Sequence, residues 1–355
     1  MSALTRLAIA LTALLPAISA HAGDTAAAVD ELFARSGVQP GAAVLVIDDG
    51  QTLIRKGYGY ADVDNKIEIT PDSAFRLASV SKQFTTAAIV ALENDGKLAF
   101  NDPLVMHVPE LNSWPGVTIR HLMTHTSGIP DYYELDYYAN YPADGPMPQN
   151  ADLVEILSRY PEPDFAPGEK YVYNNAAYEL LVTIAERASG EDFTNFLKAR
   201  VFSPAGMKTA TTFNSSRPDI AGRVVGYRRT LFGYRILDYD PFNDMLGAGG
   251  VYASLRDFEA WANTLATNSP FPEEAFKPAV LNDGTVTDYG FGWQMDSYDG
   301  YSRRAHSGSW VGFRTGIAHY PEEGLTIVVL TNHSDADTDT LIDKLSDIFL
   351  TASTE

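Results

Sequence analysis

Alternation of apolar and polar positions is clearest at the two ends of the chain. Residues 41–47 (GAAVLVI) form an unbroken apolar run, then Asp48-Asp49-Gly50, then a mixed run at 52–58 (TLIRKGY). Two runs joined by an Asp-Gly turn predict a β-hairpin. From Ser79 to Asn94 the spacing changes to helical. Phe84, Ala87, Ala88 and Ala91 share one face, and Asp95-Gly96 ends the run. Between about 101 and 235 the pattern predicts helices and long polar or aromatic loops. Within it, 175–189 is a strongly amphipathic helix closed by Gly190. Strand character returns at 290–295, 315–320 and 325–330, and a helix over about 338–350 ends the chain.

Strands at both ends with helices between predict an α/β (α+β), two-lobed fold. One antiparallel sheet is built from the N- and C-terminal segments and flanked by helices. A mostly helical lobe, about 101–235, is inserted between them. A ligand site is then expected at the seam between the lobes. No Pro/Ser-rich linker divides the chain, so residues 23–355 read as one domain.

The first 22 residues stand apart. Arg6 precedes an apolar run from Leu7 to Ala20, and Ala20-His21-Ala22 supplies a small-x-small site. That layout predicts a secretory signal peptide over 1–22, cleaved after Ala22, and hence a periplasmic or extracellular protein. No integral membrane span is expected once it is removed, because no other apolar run is long enough.

Composition narrows the partners. Of 355 residues, 45% are apolar and 20% charged, which suits a soluble core-forming chain. The formal charge of -20 disfavours nucleic acid and anionic membrane surfaces as partners. The absence of cysteine removes disulfides, thiol nucleophiles and thiolate metal sites. His121 and His125 have helical i, i+4 spacing but lack the Glu of a zinc protease helix. Asp335, Asp337 and Asp339 begin like a calcium loop, but Thr340 and Ser346 replace the required Gly and Glu. No metal and no cofactor is therefore expected. The partner that fits is a small-molecule or short-peptide substrate; the oligomeric state stays open.

Three short patterns can carry chemistry. Ser79 and Lys82 lie three apart, so a helical turn brings them together, and a desolvated lysine can take a serine proton. A Ser-x-x-Lys tetrad nonetheless arises by chance on the order of once in a chain this long. Tyr173 and Asn175 pair a phenol, able to pass a proton, with an amide, able to hold a carbonyl. Tyr138 and Asn140 repeat that spacing, so it is weak alone. His306-Ser307-Gly308 sets a histidine beside a glycine just before a predicted strand.

Taken in order, these patterns resemble the serine β-lactamase and penicillin-binding protein superfamily, in its class C and D-Ala-D-Ala carboxypeptidase branch. The resemblance runs through 75–85 (FRLASVSKQFT), 119–129 (IRHLMTHTSGI), 165–178, 202–207, 247–254 and 306–313 (HSGSWVGF), and covers nearly all of 40–332. It implies a serine hydrolase that forms an acyl-enzyme on Ser79. Lys82 would be its deprotonating partner, Tyr173 the acid or base for the leaving group, and Asn175 would orient the substrate. His306 would fill the third motif. The backbone N–H groups of Ser79 and Ser309 would form the oxyanion hole, and Gly308, Trp310 and Gln294 would contact substrate. Whether Lys82 or Tyr173 takes the first proton stays open.

Two departures shape the expected substrate. His306 stands where β-lactamases of this class carry lysine, and Gln294 stands where related carboxypeptidases can carry a cation. Arg303, Arg304 and Arg314 are the candidates to replace that charge. An esterase, D-Ala-D-Ala carboxypeptidase or D-aminopeptidase is thus favoured over a true β-lactamase. A non-catalytic protein that binds penicillin or cell-wall fragments is the alternative of another class.

Overall fold

The computed structural model describes residues 25–352 apart from 35, 143–144, 214 and 216–218. The expected signal peptide lies outside the described residues.

The expected hairpin forms as β1 (Ala42–Asp48) and β2 (Gln51–Tyr58). Asp49 and Gly50 both adopt positive φ, 46° and 76°, the turn that a two-residue hairpin loop favours. The C-terminal strands are β3 (Gln294–Tyr298), β4 (Tyr301–Trp310), β5 (Phe313–Tyr320) and β6 (Leu325–Thr331). Together they make one antiparallel sheet of order β3-β4-β5-β6-β1-β2. The two chain ends meet where β1 pairs with β6, Ala42 opposite Thr331 and Ile47 opposite Thr326.

Strands β1 and β6 are buried on both faces, which is why 42–47 reads as a continuous apolar run. Ala43, Leu45 and Ile47 join one core; Ala42, Val44 and Val46 join the other. The second core is closed by α1 (25–33), through Val29 and Phe33, and by the C-terminal helix, through Ile342, Leu345 and Phe349. Truncating a wholly buried side chain such as Leu45 to alanine costs about 2–5 kcal/mol.

The other face carries α2 (Lys82–Asn94), α3 (Asn175–Ser189) and α4 (Leu255–Asn268). Asn174 caps α3 by accepting the N–H of Ala177 at 2.8 Å, and Gly190 ends it with φ 77°. The last helix, α5 (Thr338–Ala352), begins where Asp337 accepts the N–H of Thr340 at 3.0 Å.

Three details differ from the sequence-based expectation. The helix expected from Ser79 starts as a 3-10 turn over Ala78–Ser81, and α geometry begins only at Lys82. Strand pairing begins at Gln294, because Gly292 sits in a turn with φ 77°. His306 falls inside β4 rather than before a strand. In addition, a short hairpin, Tyr227–Thr230 paired with Gly233–Ile236, stands in the segment expected to be mostly helical.

Candidate active site

Ser79 is held by its neighbours on both sides. Phe75 and Arg76 pair with Ala253 and Tyr252, and the N–H of Leu77 donates to Val251 O at 2.8 Å. Ala78 then adopts φ 49°, a left-handed conformation that costs a residue with a Cβ on the order of 1–3 kcal/mol. The surrounding pairing keeps it there, and Ser79 emerges at the head of the turn. Behind it, Gly308 lets β4 lie close. A Cβ there would stand 2.4 Å from Leu77 O and 3.0 Å from Ser79 N. Gly308 thus works from behind the cleft and does not line it.

Lys82 follows one turn on and is wholly buried. Its Nζ donates to Ser79 Oγ at 3.3 Å, to Asn175 Oδ1 at 2.9 Å and to Ala248 O at 3.2 Å. The rings of Tyr173 and Tyr178 lie 4.6 Å and 5.2 Å from it. Burial pushes its pKa down to about 7, opposed by the carboxylates of Glu179 and Asp131. Near neutral pH a large share of this amine is unprotonated and able to accept a proton.

Tyr173 faces the same serine. Burial pushes its phenol far above the ordinary value, while a bond with the Ser79 hydroxyl pulls it back. The residue is nonetheless 36% exposed on the cleft wall. Solvent in the cleft therefore softens that push, but its direction stands, and the phenol stays protonated. His125 packs against it with ring centroids 4.2 Å apart and accepts the N–H of Asn174 through Nδ1 at 3.0 Å. This is the structural role of His125, which itself adopts a left-handed φ of 58°. His121 instead completes the capping box of the Ile119–Met123 helix with Thr118.

Asn175 is oriented by Asp131, whose Oδ2 accepts both the backbone N–H at 2.6 Å and the side-chain amide at 3.3 Å. The amide oxygen is thereby turned towards Lys82. Glu179, one turn along α3, accepts the N–H groups of Gly247 and Ala248 at 2.6 and 2.8 Å and the amide of Asn150 at 2.6 Å. It fixes the turn at Gly247-Ala248, whose Ala248 carbonyl receives Lys82. Burial pushes the pKa of both acids up.

His306 is buried on β4. Its Nδ1 lies 2.7 Å from Ser307 O, and its Nε2 lies 2.8 Å from the hydroxyl of Tyr289. A carbonyl only accepts, so Nδ1 carries the proton and Nε2 accepts from the phenol. Burial first, and the Lys82 charge second, push its pKa down to about 3. The imidazole is neutral at physiological pH.

A cleft of about 480 Å³ opens over these groups. Ser79, Tyr173, Asn175, Gln294, His306, Ser309 and Trp310 all line it, with Lys82 reaching Ser79 from beneath. Trp310 is fixed by donating Nε1 to Asn243 Oδ1 at 2.7 Å. Tyr132 and Tyr133 close the far wall, while Tyr138 and Tyr141 pack behind them on Phe242.

None of the three candidate arginines lines the cleft. Arg303 is paired with Asp296 and Asp343. Arg304 lies over the Phe276 ring at 3.8 Å. Arg314 donates to Val311 O and Phe313 O. The arginine that does border the cleft is Arg76, whose guanidinium donates through Nε to Gly249 O and through Nη2 to Asn243 O, leaves the buried Nη1 without a hydrogen-bond partner, and has the Trp310 ring 5.2 Å away.

Sequence reasoning missed Arg76, Asp131, Glu179 and Tyr289. Glu179 left one signal: a charged residue on the apolar face of an amphipathic helix. Tyr289 left none.

A sheet built from both chain ends, with Ser-x-x-Lys, Tyr-x-Asn and His-x-Gly converging on one cleft, defines the serine β-lactamase and penicillin-binding class. The family model described as Beta-lactamase matches residues 26–348. The chain belongs to that family. It is 32% identical over 313 residues to penicillin-binding protein 4* of Bacillus subtilis (strain 168), covering 82% of this chain and 68% of that one. It is 31% identical over 304 residues to a D-aminopeptidase of Gluconobacter oxydans (strain 621H), covering 84% and 56%. The chain thus spans little more than half the length of that D-aminopeptidase. Among solved structures, the penicillin binding protein from Bacillus halodurans superposes with a TM-score of 0.74 at 26% identity, over 92% of this chain and 98% of that one. The octameric penicillin-binding protein homologue from Pyrococcus abyssi shares the fold, with a TM-score of 0.75 at 22% identity over 96% and 78%.

Proposed function

We propose that the protein is a serine hydrolase that acylates Ser79 and acts on small amides or esters, of the D-aminopeptidase, D-Ala-D-Ala carboxypeptidase or esterase type. The observation that carries this reading is the Lys82 amine, 3.3 Å from the Ser79 hydroxyl and lowered to about 7 by burial.

In this reading neutral Lys82 takes the Ser79 proton as Oγ bonds to the substrate carbonyl carbon. The carbonyl oxygen becomes an oxyanion and accepts from the N–H groups of Ser79 and Ser309. Tyr173 stays a neutral phenol and gives its proton to the leaving nitrogen or oxygen as that bond breaks. The Lys82 ammonium then returns a proton to Tyr173. Water attacks the acyl carbon in a second step and gives one proton to the same relay, which delivers a proton to Ser79 Oγ as the bond between Oγ and the acyl carbon breaks and the acid leaves. Asn175 holds the substrate amide, and Gln294 and Trp310 border the acyl and leaving groups. The upward push on Tyr173 and downward push on Lys82 favour Lys82 as the first base.

The neutral state of His306, and the position of Arg303, Arg304 and Arg314 outside the cleft lining, favour a substrate without a carboxylate at the third motif. A D-amino acid amide or short ester fits better than a β-lactam. That ordering agrees with relatives named D-aminopeptidase. We also read residues 1–22 as an export signal, which puts the mature protein in the periplasm or outside the cell. Among the described residues no helix is long and apolar enough to cross a membrane.

The test is intact mass after mixing with a fluorophosphonate, followed by turnover of D-alanine p-nitroanilide. An adduct on the wild type and none on Ser79→Ala supports the reading. No adduct on either protein returns it to a binding protein, and fast cephalosporin turnover makes it a β-lactamase. Intact mass of the exported protein also reports whether cleavage follows Ala22.

A further inference from the structure

The hairpin of Tyr227–Thr230 and Gly233–Ile236 stands away from the site and from every step above. Its base is clamped. Tyr227 is 2% exposed, donates its N–H to Asn332 O and accepts the N–H of Val63 on its hydroxyl. Four residues later Leu231 is 97% exposed and its neighbour Phe232 is 96% exposed. The hairpin therefore projects from the body and carries two bare apolar side chains at its tip. Two-residue hairpin loops favour Asn, Asp and Gly for backbone reasons. Leu and Phe at these positions answer no need of the turn.

Charge marks the same element. The molecule carries a formal -20, yet 226–236 holds Arg228, Arg229 and Arg235 and no acid. Arg228 stands directly opposite Arg235 in the strand pairing. Like charges so placed destabilise a hairpin. Among the described residues none of the three arginines forms an ion pair with a carboxylate. An anion brought from outside would relieve that repulsion.

We propose that this hairpin docks the protein on an anionic phospholipid surface, with Leu231 and Phe232 entering the interface and the arginines meeting lipid phosphates. The dimensions agree. At about 3.3 Å per residue, Arg229 sits roughly 7 Å and Arg228 and Arg235 roughly 10 Å behind the tip, close to the depth to which interfacial apolar groups sink. A convex tip of two side chains offers on the order of 400 Å². A stable protein interface buries about 1,200–2,000 Å², so a second copy of the chain is a poorer occupant. Each arginine near an anionic surface adds roughly fivefold to binding. The global charge disfavours such a surface, which makes attachment local, reversible and weakened by salt.

Flotation of the full exported protein with vesicles tests this, using phosphatidylcholine with phosphatidylglycerol against phosphatidylcholine alone at low ionic strength. The wild type is expected to float only with the anionic vesicles. Binding should fall about tenfold or more in a Leu231→Ser, Phe232→Ser variant. It should fall comparably in an Arg228→Gln, Arg229→Gln, Arg235→Gln variant. Both variants alter only exposed or projecting side chains, and a melting temperature no lower than that of the wild type verifies their fold. Failure of the wild type to float overturns the proposal, as does equal flotation of the variants. A vesicle-free dimer seen by light scattering and lost in the Leu231→Ser, Phe232→Ser variant also overturns it, by assigning the tip to a second copy.

Discussion

The phenol of Tyr289 donates to Nε2 of His306 at 2.8 Å. With Nδ1 turned to Ser307 O, both ring nitrogens are engaged and the imidazole is fixed in one tautomer. His306 is therefore a neutral wall of the cleft, and a substrate finds no cation there. Replacing Tyr289 by Phe leaves Nε2 buried without a donor, at a cost of about 1–3 kcal/mol. The urea midpoint of Tyr289→Phe should fall accordingly, and an unchanged midpoint would show that water replaces the phenol.

The acid limb of acylation follows Lys82. With its pKa near 7, the rate of modification by a neutral ester should rise through about pH 7 and then level off. Glu179 is the carboxylate that most supports the ammonium form. Glu179→Gln removes that support, so more amine is neutral at a given pH and the limb should move to lower pH. A limb that stays in place or moves up counts against Lys82 as the base.

Lys82→Arg separates charge from basicity. A guanidinium keeps the positive charge but does not give up its proton at accessible pH. Acylation of this variant should drop by about 10²–10⁴-fold at every pH between 6 and 9, the range of a lost general base. Stopped-flow release of p-nitrophenol from a p-nitrophenyl ester measures it.

Gly308→Ala tests how closely β4 must approach the nucleophile turn. The new methyl would meet Leu77 O and Thr315 Oγ1 at 2.4 Å. The strand or the serine must shift by roughly 1 Å to restore ordinary contact, and a displacement of that order at a reacting atom is expected to lower acylation by about 10²-fold. A variant acylated at the wild-type rate would show that the turn yields without harm.

Buried histidines make the fold sensitive to acid. His319 is pushed down to about 4, first by burial and then by the Arg304 charge. Between pH 6.5 and 4 the unfolded chain binds its proton and the folded chain does not, so stability falls as pH falls through that window. The full contribution is about 3 kcal/mol. Melting temperatures of His319→Gln should fall less steeply than the wild type from pH 6.5 to 4; parallel curves would remove His319 from the account.

How much of this was legible beforehand varied with the range of the interactions. The β1–β2 hairpin, the α3 boundaries and the closing helix were read from spacing and caps, because turn chemistry and amphipathic period are local. The 3-10 turn at Ser79 was not, because the left-handed Ala78 is imposed by pairing with a strand some 170 positions away. The exposed hairpin at 227–236 also escaped, since arginines and a Leu-Phe tip carry no strand signal until the neck is clamped to Asn332.

From the sequence alone came the alternation that builds a sheet from two chain ends, the helical turn that sets Lys82 beside Ser79, and the substitution of His306 for a lysine. Only the folded molecule decided which carboxylates stand near Lys82, which arginine borders the cleft, and which proton His306 keeps. Period and propensity act between neighbours along the chain. Desolvation and pairing depend on atoms that are distant in sequence, so the charge state of each group exists only once those atoms have met.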